Sequence, residues 1–157
     1  MNSGLDYNEK EFGGKTNFKI ACTAMSTAKN PERELEKMKK KISAGADFFQ
    51  TQVVYDSEKA ISFLKEARKL DKPILIGVMP LKSVKMARFM NKNVEGIDVP
   101  EEVISRMEND GVTGIEITCD FIKEIAEHTD GIHIMAMGDV KGTNQIIEFV
   151  NTIVIRP

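Results

Sequence analysis

The 157-residue chain is 41% hydrophobic and 29% charged with a net charge of -2, the balance of an ordinary folded protein rather than a disordered or fibrous one. So small a charge leaves no basic field for nucleic acid and no polybasic segment for an anionic membrane. The longest apolar runs, such as Ile74 to Pro80, fall far short of the roughly 20 residues a membrane helix requires. A single core is expected at this length, with small molecules or proteins as partners. No basic leader or apolar stretch follows Met1, so a cytoplasmic location is expected. Cys22 and Cys119, far apart and outside any Cys-x-x-Cys pair, read as reduced, partly buried thiols.

Residues 1–17 are polar and glycine-rich and read as a tail or connector, with the folded unit expected over 18–157. The apolar run from Phe18 to Met25 predicts a strand buried on both faces. Asn30-Pro31-Glu32 then supplies a capping side chain, a first-turn proline and an early acid, so a helix is expected over 31–44, stopped by Gly45. Phe48 to Tyr55, rich in aromatic and β-branched residues, predicts a second strand, and Asp56-Ser57 caps a helix expected over 57–70. Pro73 to Met79 predicts a third strand. Helical signals then crowd together, at Ser83 to Met90, after Val99-Pro100 and from Gly114 to His128, before a fourth strand at Gly131 to Met137 and a last helix over 142–153.

Four short apolar strands, each followed by an amphipathic helix, predict an α/β fold with a parallel sheet and right-handed crossovers. Four such units make half of a (β/α)8, TIM-type barrel. A small open doubly wound sheet is the competing architecture, although no Gly-x-Gly-x-x-Gly or phosphate loop supports its nucleotide-binding forms. Two His and two Cys, spread along the chain, offer no zinc-ligand spacing. His133 reads as a strand histidine with one backbone partner, and His128 as a residue of its helix's C-terminal turn.

The segment Lys39-Lys-Lys-Ile-Ser-Ala-Gly-Ala-Asp-Phe-Phe-Gln-Thr-Gln52 resembles the methylenetetrahydrofolate reductase family at the entry to its sixth barrel strand. Tyr55-Asp56, Gly77-Val-Met-Pro80, Lys85-Met-Ala-Arg-Phe89, Val99-Pro100-Glu-Glu and Gly131-Ile-His-Ile-Met extend the likeness, in order, over about residues 18–150. The resemblance implies strands five to eight of the family's barrel. It also implies a flavin, FAD, at the C-terminal face and the reduction of 5,10-methylenetetrahydrofolate to 5-methyltetrahydrofolate.

Carried onto this sequence, it implies Gln52 and Phe89, or the neighbouring Met90, as contacts to a folate or related pterin, and Glu34, Lys37, Lys40 and Lys41 as flavin contacts. Gln52 also fits on chemistry, since a carboxamide can donate to and accept from a pterin edge at once. The lysines equally suit a solvated last turn that complements the helix dipole. No residue here matches the family's general acid on its first strand or the aspartate after its fourth, so no catalytic residue is assigned. Met86 stands where the family has a Gln, and Gly138-Asp139 where it has Asn-Arg. Two functions follow as expectations: the C-terminal segment of the flavin enzyme, incomplete alone, or a non-catalytic half-barrel binding or assembly module. Both predict association through the sheet edges, with an N-terminal half barrel or a second copy.

Overall fold

The computed structural model describes residues 2–11 and 13–153. In chain order it contains β1 (Ala21–Ala24), α1 (Pro31–Ser43), β2 (Phe48–Val53), α2 (Ser57–Ala67) with a 3-10 turn at Arg68–Leu70, and β3 (Ile74–Val78). There follow α3 (Val84–Asn93), α4 (Glu101–Asn109), α5 (Gly114–Ile125), β4 (Gly131–Ile134) and α6 (Val140–Val150). Local chemistry sets most helix starts. The side chains of Asn30, Asp56, Ser83 and Asp139 accept from backbone N–H groups of the first turns of α1, α2, α3 and α6. At α5 Thr113 and Glu116 cap each other's backbone reciprocally.

The elements follow the expected order with shorter strands. β1 begins at Ala21 rather than Phe18, because the Ile20 N–H is taken by the Asp47 carboxylate at 2.8 Å before the strand ladder starts. The helix expected over 57–70 tightens into the 3-10 turn after Ala67 and ends on Asp71, whose φ is +51°. α6 starts two residues earlier than expected, because Asp139 reaches forward to the Gly142 N–H at 2.9 Å.

The four strands are parallel and lie in sequence order, β1-β2-β3-β4. Cys22 and Ala24 of β1, Phe49 of β2, Ile74, Ile76 and Val78 of β3, and Ile132 and Ile134 of β4 pack into one core with α1, α2, α5 and α6. The three crossover helices α1, α2 and α5, and α6 after the last strand, therefore cover a single face. A doubly wound sheet reverses its strand order and places helices on both faces; this sheet does neither, and its architecture is that of a half barrel. The other face carries the aligned row Thr23, Gln50, Leu75 and Gly131 and has no crossover helix over it.

The extra helical stretch has a distinct place. α3 and α4 form a second core with Val53, Tyr55, Met79 and Met135, residues at or just beyond the C-terminal ends of the strands. They cap that end of the sheet, while α5 makes the crossover to β4. Among the described residues no helix is long and apolar enough to cross a membrane.

Candidate functional site at the strand ends

The register of β2 against β3 breaks just where the sheet meets its C-terminal end. Gln50 pairs with Leu75 and Val53 with Gly77, so three steps along β2 match two along β3, a bulge spanning Thr51 and Gln52. Gly77 makes room for it. A Cβ at that position would lie 2.5 Å from the Thr51 carbonyl oxygen and 3.0 Å from the Gln52 carbonyl group. The Gly77 N–H donates to Thr51 Oγ1 at 2.9 Å, and the Val54 N–H donates to the Gly77 carbonyl at 3.2 Å.

Gln52 sits half-buried in this bulge, its Oε1 accepting from the Val53 N–H at 3.1 Å. Its Nε2 donates to none of the described residues. On the far side of Gly77, in register with it, stands His133 of β4. The His133 Nδ1 is buried and has no hydrogen-bond partner among the described residues. The sequence pointed to a satisfied strand histidine; the structure instead leaves a polar atom open beside the Gln52 bulge. An unpaired buried polar atom is costly unless a ligand or water meets it.

Three of the four residues expected to meet a cofactor share one flank of α1. Glu34, 5% exposed, accepts from the Met25 N–H at 3.2 Å and from Lys37 Nζ at 3.1 Å. Lys41 Nζ donates to the Thr23 carbonyl at 2.6 Å. The outward backbone groups of β1, the strand at the sheet's edge, are thus met by two side chains seven residues apart on α1, a spacing that returns to the same flank after two turns. Lys40, exposed, lies about 100° away around the helix from Lys41.

The Phe89 and Met90 pair separates cleanly. Phe89 is 60% exposed on the outer side of α3, whereas Met90 is buried in the second core with Met79 and Tyr55. Of the two, Met90 is the one packed toward the strand ends. Tyr55 donates its hydroxyl to the Met79 carbonyl at 2.9 Å, and burial pushes the phenol's pKa up. This link ties β2 to β3 beneath the helical cap.

A cavity of about 700 Å³ opens between the loop after β1, α2 and the segment 95–98, with Met25, Leu35, Phe63 and Ile97 on its walls and Lys29 and Lys59 at its rim. The Thr27 hydroxyl donates to the Gly96 carbonyl at 3.0 Å within it. No motif announced it, because its walls come from four separate stretches of chain. Cys22 and Cys119 are free and half-buried, and burial raises the Cys119 thiol, with Asp120 and Glu116 adding to the shift. Neither thiol lines the bulge or the α1 flank.

A family model described as methylenetetrahydrofolate reductase matches residues 11–151. Methylenetetrahydrofolate reductase 2 of Saccharomyces cerevisiae is 29% identical over 163 residues, covering 94% of this chain and 27% of that protein. Methylenetetrahydrofolate reductase (NADH) 1 of Arabidopsis thaliana is 29% identical over 122 residues, covering 69% of this chain and 20% of that protein. The chain therefore spans about a quarter of the length of these curated relatives or less. Among solved structures, a protein from Clostridium thermocellum that binds two copies of 5-methyl-5,6,7,8-tetrahydrofolic acid superposes with a TM-score of 0.57 at 20% identity. The match covers 85% of this chain and 53% of that one, a likeness of fold.

Proposed function

The chain belongs to the methylenetetrahydrofolate reductase family, and from that premise we propose that it supplies one side of a flavin-dependent site reducing 5,10-methylenetetrahydrofolate to 5-methyltetrahydrofolate. The observation that carries this reading is the bulge at the end of β2. It places Gln52, whose Nε2 meets no acceptor among the described residues, across Gly77 of β3 from His133, whose buried Nδ1 has no partner among the described residues, at the C-terminal end of a half-barrel sheet. Barrel enzymes keep their sites at that end. A pterin edge offers alternating donors and acceptors, and a carboxamide and an imidazole nitrogen can answer both. The names of the relatives and the ligand of the Clostridium thermocellum protein make a reduced folate the class of molecule to test.

The α1 flank fits the polar part of a flavin cofactor. Lys37 and Lys41 bring two cationic groups to the uncovered edge of β1, where Glu34 holds Lys37 in place. These residues would hold the diphosphate and ribose, and the flavin, when bound, supplies the hydride. The chain's own residues bind and orient; none of them is assigned to proton transfer.

A second reading, a binding or assembly module without the redox step, draws on the same flank. Glu34 and Lys41 already serve the backbone of β1, and that bonding would have to be exchanged for cofactor contacts. Calorimetric titration with FAD and with 5-methyltetrahydrofolate separates the two. The flavin reading expects both to bind and a yellow protein to emerge from gel filtration. Folate binding by a protein that takes up no flavin favours the module. Replacing Gln52 with Ala should weaken folate binding by about tenfold, the equivalent of ~1.4 kcal/mol. Absence of folate binding under both conditions, or unchanged binding by Gln52→Ala, would overturn the assignment of the bulge.

A further inference from the structure

β2 changes faces at its C-terminal end. Phe49 packs under the helices in the main core, and so does Val54, just past the strand. The two are an odd number of positions apart, and an unbroken strand would turn them to opposite faces. Val53 and Tyr55, which an unbroken strand would put on the side of Phe49, instead join Met79 and Met90 in the second core. The extra residue of the bulge makes the switch. One strand thereby serves the crossover helices along its length and the α3–α4 cap at its end, with Gln52 at the turning point.

Thr51 is bonded into that turning point on both sides. Its side chain is buried. Oγ1 accepts from the Gly77 N–H at 2.9 Å and donates to the Gln52 carbonyl at 2.8 Å. One hydroxyl thus joins β3 to the peptide that carries Gln52. The Gln52 side chain is held from the other direction, its Oε1 accepting from the Val53 N–H at 3.1 Å. A threonine suits this place. Its branched Cβ restricts χ1, so the hydroxyl stays aimed at little entropic cost. A hydroxyl also accepts and donates together, which an aliphatic side chain of the same shape cannot do.

We propose that Thr51 is a positioning residue for the pterin contact: its hydroxyl fixes the bulge that aims the Gln52 carboxamide, and it acts on the ligand only through Gln52. The inference deepens the folate reading of the bulge and rests on it for its binding readout, while its structural readout needs no ligand. Both bonds lie within β2 and β3, the two inner strands of the sheet, so they do not depend on what lies beyond either edge.

The test compares Thr51→Val, which keeps the shape and removes the hydroxyl, with Thr51→Ser, which keeps the hydroxyl. Amide hydrogen exchange followed by NMR reads the bulge directly. The Val53 N–H should exchange at least about tenfold faster in Thr51→Val than in the wild type, and within about threefold of the wild type in Thr51→Ser. In calorimetric titration with 5-methyltetrahydrofolate, Thr51→Val should weaken binding about fivefold and Thr51→Ser less than about twofold. In a Gln52→Ala background Thr51→Val should change affinity by less than about twofold, since the residue it aims is gone. A general loosening of the sheet would instead lower affinity in both backgrounds. Should Thr51→Val fail to fold, Thr51→Ala against Thr51→Ser isolates the same hydroxyl.

An equal loss of affinity with and without Gln52, or wild-type affinity in the variant lacking the hydroxyl, would overturn the proposal. So would Val53 exchange that ignores removal of the hydroxyl. A wild-type chain that binds no folate while Val53 exchange responds as expected removes the folate reading and keeps Thr51 as the residue that fixes the bulge.

Discussion

Replacing Gly77 with alanine tests whether the β2 bulge depends on a missing side chain. The added methyl would lie 2.5 Å from the Thr51 carbonyl oxygen and 3.0 Å from the carbonyl carbon and oxygen of Gln52. Those atoms are backbone, held by Gly77 N–H to Thr51 Oγ1 and Val54 N–H to the Gly77 carbonyl, so relief requires moving two strands apart or flattening the bulge. Overpacking of this kind costs about 1–3 kcal/mol, and a rigid backbone neighbour places the cost toward 3. The loss of backbone freedom in the unfolded chain returns about 0.4–1 kcal/mol. A net loss near 2 kcal/mol lowers the melting temperature of a chain this size by about 4–8 °C.

Gly131→Ala is the control in the same sheet. Its Cβ would approach at 2.6 Å, but the neighbour is Leu75 Cδ2, the far end of a side chain that can turn away. The expected cost is under about 1 kcal/mol. Calorimetric melting of both variants, with urea titration for the free energy, provides the comparison. If Gly77→Ala melts with the wild type, or Gly131→Ala loses as much as Gly77→Ala, the bulge is not held open by that glycine. Because the bulge positions Gln52, Gly77→Ala should also weaken folate binding in the titration used for Gln52→Ala.

Two further changes probe the supports of the site. Tyr55→Phe removes the buried hydroxyl that donates to the Met79 carbonyl, and leaving that acceptor unpaired should cost about 1–2 kcal/mol by urea unfolding. Because burial raises the Tyr55 phenol above its usual 10.0, its contribution is present below pH 10 and lost as pH rises beyond it; Tyr55→Phe should lose less stability there than the wild type does. Asp47 has a lowered pKa, caused first by the Ile20 N–H and then by Lys19. That group stabilises the fold above the ordinary 3.8 and loses the contribution as pH falls through its depressed value. Asp47→Asn should flatten this part of the acid limb in thermal melts taken over the range, and an unchanged limb would remove Asp47 from the edge of β1.

Much of the local structure was legible in the chain itself. Asn30-Pro31 and Asp56-Ser57 announce α1 and α2, because a cap needs only a side chain and the backbone within three residues of it. The alternation of four apolar runs with amphipathic helices, and the segment ending at Gln52, were likewise sufficient for a parallel α/β fold and the family. What the sequence left open concerned neighbours. Periodicity tells which residues share a face, not which strand lies beside which, so strand order alone decided between a half barrel and a doubly wound sheet. The bulge between Gln50 and Val53 is a mismatch of two strands more than twenty residues apart. Which of Phe89 and Met90 is buried turned on which side of α3 meets Met79, and the hydrogen bonds of Glu34 and Lys41 on the outer edge of β1 lying beside them. Tertiary packing settled each of these, because each depends on a surface contributed by a distant part of the chain.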